Sequence, residues 1–334
     1  MQIFLNILFL VIGMVLLIKG ADFFVDGASS VAKKLKVPAL FIGLTIVALG
    51  TSLPELSVSV ASAVKNSIDM SVGNIVGSNM MNMLLILGIV ILIKPVPVQK
   101  SSKKIDFPFL IGITLLLLLF CADKVINRAG ENIITRSESI ILIATLLIYI
   151  FMLILNAKKE HKAMFNESAN YIEQPKEDGI KILKTWQIIL CLLIGPFAIV
   201  LGAEFVSTTA QFLALKMGMS EALVGLTIVA VGTSLPELTT SIIAAAKGEN
   251  DLALGNIIGS NVINIALILG VVGTITQISI STTLLIDVLI LTICTIIFSV
   301  LCITKNKISR WKGAVFVLMY IAYMTFAIVR NYCF

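Results

Sequence analysis

Only 13% of the 334 residues are charged, whereas a soluble domain carries about 25%. That shortage excludes an ordinary soluble enzyme, a disordered chain and a nucleic-acid-binding domain. The five cysteines (Cys121, Cys191, Cys294, Cys302 and Cys333) are odd in number and form no CxxC pair. A disulfide framework and a zinc site are thereby excluded, and the cysteines read as small packing residues. The single histidine, His161, lies in the most polar loop and can build neither a His-based metal site nor a catalytic triad. With no histidine in an apolar stretch, no HExxH and no paired-Asp motif, the chain is expected not to be an enzyme and to need no cofactor. What is abundant is apolar sequence. Hydrophobic residues make up 58% of the chain and mean hydropathy is +1.04. They come in long unbroken runs rather than in alternation, which points to an all-α integral membrane protein and not a barrel.

Ten candidate spans can be marked, at 3–26, 37–64, 70–93, 106–122, 138–156, 186–214, 219–246, 252–275, 282–303 and 311–330. The first resembles a signal peptide in hydropathy. It lacks a preceding positive charge and a following cleavage site, so it is read as a membrane helix. The polar stretch 157–185 separates two sets of five spans. With the N-terminus outside, 18 Lys and Arg fall in inside loops and 6 in outside segments. That excess predicts outside termini and a cytoplasmic 157–185 linker. It also accounts for the net charge of +6 without an acidic partner.

The two sets are copies of each other. GLTIVALGTSLPELSVS at 43–59 and GLTIVAVGTSLPELTTS at 225–241 agree at 14 of 17 positions, at an offset of 182. At the same offset GNIVGSNMMN (73–82) matches GNIIGSNVIN (255–264) at 7 of 10. Apolar helices drift toward similarity, but not toward shared Pro, Glu, Asn and Ser. Five spans per copy is an odd number, so the second copy enters the membrane from the opposite side. The expected organisation is a first five-helix repeat (1–156, motifs at 43–82), the linker, and a second repeat (186–334, motifs at 225–264). This inverted-topology repeat suits alternating access.

Ionisable groups at membrane depth cost at least about 2.5 kcal/mol, and Glu55 and Glu237 stand mid-span at equivalent positions. No Lys or Arg lies at matching depth. Thr51, Ser52 and Ala48 share the helical face of Glu55, as Thr233, Ser234 and Ala230 share that of Glu237. Pro54 and Pro236 each remove a backbone donor and free a carbonyl about one turn earlier. Ser78 with Asn82, and Ser260 with Asn264, add i,i+4 polar pairs in the third and eighth spans. These are hard oxygen ligands, suited to Ca²⁺ and Na⁺ and not to zinc or copper. Two carboxylates offset one divalent ion or two monovalent ones, and competition for shared ligands is a physical basis for antiport. Gly73, Gly77, Gly255 and Gly259 have GxxxG spacing and read as packing residues. Asn74, Asn79, Asn256 and Asn261 read as interhelical hydrogen-bond formers outside the coordinating set. Asp22 and Glu204, a matched acidic pair near the ends of the first and sixth spans, are expected to be solvated at the interface or to make a helix-end hydrogen bond, with a role in the ion entrance as the alternative, and Asp287 is expected at the interface.

GTSLPE at 50–55 and 232–237, followed by GNIVGSN and GNIIGSN, resembles the alpha-repeats of the cation/calcium exchanger superfamily, and is most similar to prokaryotic sodium/calcium exchangers. The resemblance covers all ten spans. It implies ion sites between helices two, three, seven and eight, with Glu55 and Glu237 as shared central ligands. Backbone oxygens of Thr51 and Thr233 would complete a calcium site. Sodium would use the Ala48 carbonyl, Ser52 and Ser78 in one half, and the Ala230 carbonyl, Thr233, Ser234 and Ser260 in the other. Asn82 and Asn264 would line the middle, and helices one and six would slide across the other eight. Exchangers of this kind often carry Asp where Asn264 stands, so this chain has two formal carboxylates rather than three. The implied substrates are Ca²⁺ and Na⁺, in a prokaryotic plasma membrane, with a monomer sufficient for transport. The alternative is a proton/cation antiporter; proton-coupled relatives generally place an extra acid in the third- and eighth-helix motifs, where this chain has Ser and Asn.

Overall fold

The computed structural model describes residues 2–65, 67–126, 131–170, 183–218 and 230–333. The chain is a helical membrane protein. Seven of its helices are long and apolar enough to span a bilayer, and the bent pair Ala39–Thr51 and Leu53–Val64 makes eight. Two further apolar helices are shorter: Asp106–Phe120, with 15 residues, and Leu235–Ala246, with 12. Residues 219–229, the first part of the seventh expected span, lie outside the described residues.

Long helices form where apolar runs lack breakers. Gln2–Leu35 and Thr185–Lys216 run for 34 and 32 residues and pack along each other. Their contact is made by paired glycines. A Cβ on Gly13 would lie 2.9 Å from the Gly202 carbonyl oxygen, and one on Gly20 would lie 2.9 Å from that of Gly195. Only residues without a side chain let the two backbones approach so closely. Gly13 and Gly20 stand 182 residues before Gly195 and Gly202, so each contact is the repeat image of the other.

The centre is built from Ile68–Ile93 and Asn250–Ile275. Their apolar windows are 78% and 83% buried, against 28% for each of the two long outer helices. Gly255 and Gly259 of the second central helix bring it against Ala39–Thr51: a Cβ on either would lie 2.6 Å from the carbonyl oxygen of Leu40 or Leu44. They are packing residues, as expected. The segment that would oppose Gly73 and Gly77 by the same repeat relation falls largely outside the described residues.

Two short antiparallel ladders tie loops of one half to loops of the other: Val96–Pro97 with Lys307–Ile308, and Ile133–Ile134 with Ile278–Ser279. The strands at 96–97 and 278–279 again stand 182 apart.

Several expectations are corrected. Asp287 is not left to solvent: it is buried in the protein and accepts two hydrogen bonds from the Arg330 guanidinium, at 3.0 and 2.8 Å. The pairing compensates the charge of the buried Asp287 carboxylate. Asp22 is not at a helix end, since the first helix continues to Leu35; it pairs with Lys247 at 2.6 Å. The helix that begins at Arg136 extends to Asn170, into the polar stretch expected as linker. Cys121, Cys191, Cys294 and Cys302 are free thiols, as expected of packing residues.

Candidate cation site

The bent helix explains how a carboxylate is held at membrane depth. Pro54 lacks the amide hydrogen that would continue the Ala39–Thr51 ladder, so the axis turns by 46° at Ser52. A new helix, Leu53–Val64, starts inside the protein, with Pro54 in its first turn where the missing donor costs nothing. Glu55 therefore sits in the first turn of a helix, where the partial positive charge of the N-terminus favours an anion. The second half does the same at Ser234, Pro236 and Glu237, at the start of Leu235–Ala246.

Both glutamates are fully buried. Neither forms an ion pair with any described Lys or Arg. Each is held by the opposite half. Ser52 Oγ donates to Glu237 Oε1 at 3.0 Å, and Ser234 Oγ donates to Glu55 Oε1 at 3.2 Å. Ser78 Oγ adds a longer contact of 3.5 Å to Glu55 Oε1 and lies 3.1 Å from Ser234 Oγ. Ser260 Oγ stands 3.5 Å from Thr51 Oγ1.

Asparagine amides beside these groups fix them, two of them as repeat images. Asn256 Nδ2 donates to Ser241 Oγ at 3.0 Å, and its Oδ1 accepts from Thr51 Oγ1 at 3.0 Å. Asn74 Nδ2 donates to Ser59 Oγ at 3.1 Å, and its Oδ1 accepts from Thr233 Oγ1 at 3.3 Å. Asn264 Nδ2 donates to Asn79 Oδ1 at 3.1 Å. Asn74, Asn79 and Asn256, read as interhelical hydrogen-bond formers, do form such bonds, whereas Asn261 Nδ2 turns to Ile257 of its own helix at 2.7 Å and its buried Oδ1 has no partner. Ser59 and Ser241 escaped the sequence reading. The signal was present: each follows its glutamate by four residues, on the same helical face.

One set of atoms stands out. Glu55 Oε2, Glu237 Oε2, Asn264 Oδ1 and both side-chain polar atoms of Asn82 are buried with no hydrogen-bond partner. Buried polar atoms are ordinarily satisfied, and each orphan is costly. Oxygens of this kind suit a hard cation, and the glutamate oxygens carry the charge to neutralise one. Asn82 and Asn264 are placed by a feature no periodicity announces. Each lies in a π-helical turn, Met81–Ile86 or Asn264–Leu269. The extra residue in such a turn shifts the side-chain directions, and π turns recur at functional sites. A third π turn, Gly43–Val47, precedes Ala48.

The remaining candidates fall into place unevenly. Thr51, Ser52, Ser78, Ser234 and Ser260 are buried in the same polar centre, and Thr233 borders it. The Ala48 carbonyl accepts the Ser52 amide at 3.0 Å, so it is partly engaged by its own helix. Ala230 opens the helical turn Ala230–Thr233, and the side-chain surroundings of Ala230 lie outside the described residues.

Comparison with known proteins places the chain. The sodium/calcium exchanger protein family matches residues 5–155 and 187–329. The putative antiporter CaxA of Alkalimonas amylolytica is 41% identical over 270 residues, covering 80% of each chain. The sodium/calcium exchanger MaX1 of Methanosarcina acetivorans is 32% identical over 353 residues, covering 97% of this chain and 98% of its own. Among solved structures, the sodium-calcium exchanger NCX_Mj soaked with 10 mM Na⁺ and zero Ca²⁺ superposes with a TM-score of 0.81 at 27% identity, over 97% of this chain and 99% of that one.

Proposed function

This chain belongs to the sodium/calcium exchanger protein family, and on that premise we propose that it is an antiporter that exchanges Na⁺ for Ca²⁺ by alternating access. The observation that carries the reading is the pair of buried glutamates, each braced by a serine of the opposite half and each keeping one oxygen without a partner. Ca²⁺ and Na⁺ are both hard cations that take oxygen ligands. Glu55 and Glu237 balance one Ca²⁺ or two Na⁺, with Asn82 and Asn264 supplying neutral oxygen between them. The hydroxyls of Ser52, Ser78, Ser234 and Ser260, with carbonyls at Ala48, Thr51, Ala230 and Thr233, widen the cage for sodium. Fewer than two sodium ions leave a buried negative charge, so at least two drive a cycle.

Strict exchange follows from the cost of the unneutralised site. Two carboxylates without counter-charge, away from bulk water, are expensive to carry through an occluded state. The loaded states cross, and the bare one does not. Repeat-related contacts across the two halves support an arrangement of ten spans as two inverted five-helix repeats, 1–156 and 186–334, joined through 157–185. The lysine and arginine bias supports outside termini and a cytoplasmic linker in a prokaryotic plasma membrane. A monomer contains every group the mechanism uses.

Purified protein in liposomes tests the reading. Calcium uptake should follow an outwardly directed sodium gradient and vanish when sodium is replaced by choline. Uptake indifferent to sodium but driven by a pH gradient would instead assign Glu55 and Glu237 as proton carriers of a proton/calcium antiporter.

A further inference from the structure

The two ends of the molecule break the repeat symmetry that the serine–glutamate contacts of its centre keep. Leu235–Ala246 ends at Lys247 and Gly248, whose φ of 84° is the left-handed conformation that stops a helix. Lys247 Nζ then reaches the first long helix, 2.6 Å from both Asp22 Oδ1 and Asp26 Oδ1 and 3.0 Å from the Asp22 carbonyl. Two residues on, Glu249 accepts from Ser29 Oγ and lies 3.9 Å from Lys33 Nζ. The first helix is thus pinned to this corner over three turns, and it packs along Leu235–Ala246.

The repeat positions of Asp22, Asp26, Ser29 and Lys247 are Glu204, Thr208, Gln211 and Lys65. The acid and the lysine are therefore present in both halves. No ion pair joins Lys65 to Glu204 among the described residues. The equivalent side chains turn along their own helix instead. Thr208 Oγ1 donates to Glu204 at 3.1 Å, and Gln211 donates to Ser207 at 3.1 Å. The sixth helix has no contact with Leu53–Val64 comparable to that of the first with Leu235–Ala246.

We propose that Lys247 with Asp22 and Asp26 forms a charge latch that holds shut the entrance on its own face of the membrane, and that Lys65 with Glu204 is the matching latch that closes the opposite face in the other transport state. This rests on the alternating-access reading. An inverted repeat reaches its second state by exchanging the conformations of its halves, so a contact made once here is made by its image there. Lys247 is a positioning residue: it touches no ion and biases which face is open. Burial alone would lower the Lys247 ammonium, but hydrogen bonds and charges from Asp22 and Asp26 outweigh this and hold it above its ordinary value. It stays charged and paired at neutral pH.

Hydrogen–deuterium exchange on the full chain in nanodiscs, without transported ions, tests the latch. Lys247→Gln should speed exchange about tenfold across 22–36 and 244–251 while slowing it across 60–67 and 204–212. Lys247→Arg should restore the original pattern. Asp22→Asn with Asp26→Asn should reproduce the Lys247→Gln pattern by the other route, which guards against a variant that simply fails to fold. In vesicles sorted by orientation, Lys247→Gln should tighten apparent calcium affinity about tenfold on the Lys247 face and weaken it on the other. Unchanged exchange in folded Lys247→Gln, or equal loosening of both faces, would overturn the latch. A wild type that shows the exchange pattern but no sodium-driven calcium uptake would instead overturn the proposed coupling and leave the latch standing.

Discussion

Ser52 of the first half reaches Glu237 at 3.0 Å, and Ser234 of the second reaches Glu55 at 3.2 Å. Toward the rims the halves part company: Asp22 meets Lys247 at 2.6 Å, while Glu204 and Lys65 form no such pair. Both regions are built from the same repeated parts. At the centre the serine–glutamate and asparagine–serine contacts are made by both halves, although the Asn264–Asn79 contact is made once, and the proposed site draws on both halves. At the rims one image is made and the other is not, and in the proposed latch this marks one of two states. On the proposed function, a single repeat encodes both a shared cage and a choice of which side it faces.

The largest expected effect falls on the centre. Glu55→Gln and Glu237→Gln should each abolish calcium uptake, by about 100-fold or more, because either removes half of the compensating charge from a buried site. Matched losses in flux assays keep the halves equivalent; substantial uptake in one variant would remove that residue from the cage. Next comes a residue with no counterpart in the other half. Asp287→Asn leaves the half-buried Arg330 guanidinium beside a neutral amide, and should cost about 2 kcal/mol in thermal unfolding of the purified protein. A shift of less than a degree would show that the pair is solvated.

Ser52→Ala and Ser234→Ala each delete one hydrogen bond to a carboxylate, worth about 1.5–3 kcal/mol. Each should weaken apparent calcium affinity by about tenfold, and by similar amounts. A large inequality would show that the cage favours one half. The smallest effect concerns the rim. Because the folded-state pKa of Lys247 is raised, its contribution is complete below the ordinary lysine value of about 10.4 and is lost as pH climbs through the raised value. Protection of 22–36 should therefore stay constant, after correction for intrinsic exchange, from about pH 7 to 9.

Much of the centre was legible in the residues. Glu55, Glu237 and their neighbours announce themselves because carboxylates are costly in apolar stretches, and because Pro, Ser and Asn recur at one fixed offset. The kink at Ser52 and the helix break at Ser234 follow from Pro54 and Pro236. What escaped has physical reasons. A π turn inserts one residue into a helix without altering the run of apolar residues around it, so the re-aiming of Asn82 and Asn264 leaves no pattern. The Asp287–Arg330 pair joins residues 43 apart with no repeat image. Lys247 and Asp22 are 225 residues apart, and a lysine at the end of a span reads as solvated until the long helix beside it is placed. The first helix outruns its apolar stretch because Asp26, Lys33 and Lys34 continue it without a breaker until Lys36, whose φ of 53° ends it.

The central claim is that two acids, one from each half, share one cation. Diffraction from crystals grown in calcium, recorded for its anomalous signal, measures this directly. The account predicts one peak within about 2.3–2.6 Å of both Glu55 Oε2 and Glu237 Oε2. Two separate peaks, one beside each glutamate, or a peak that contacts neither, would contradict it.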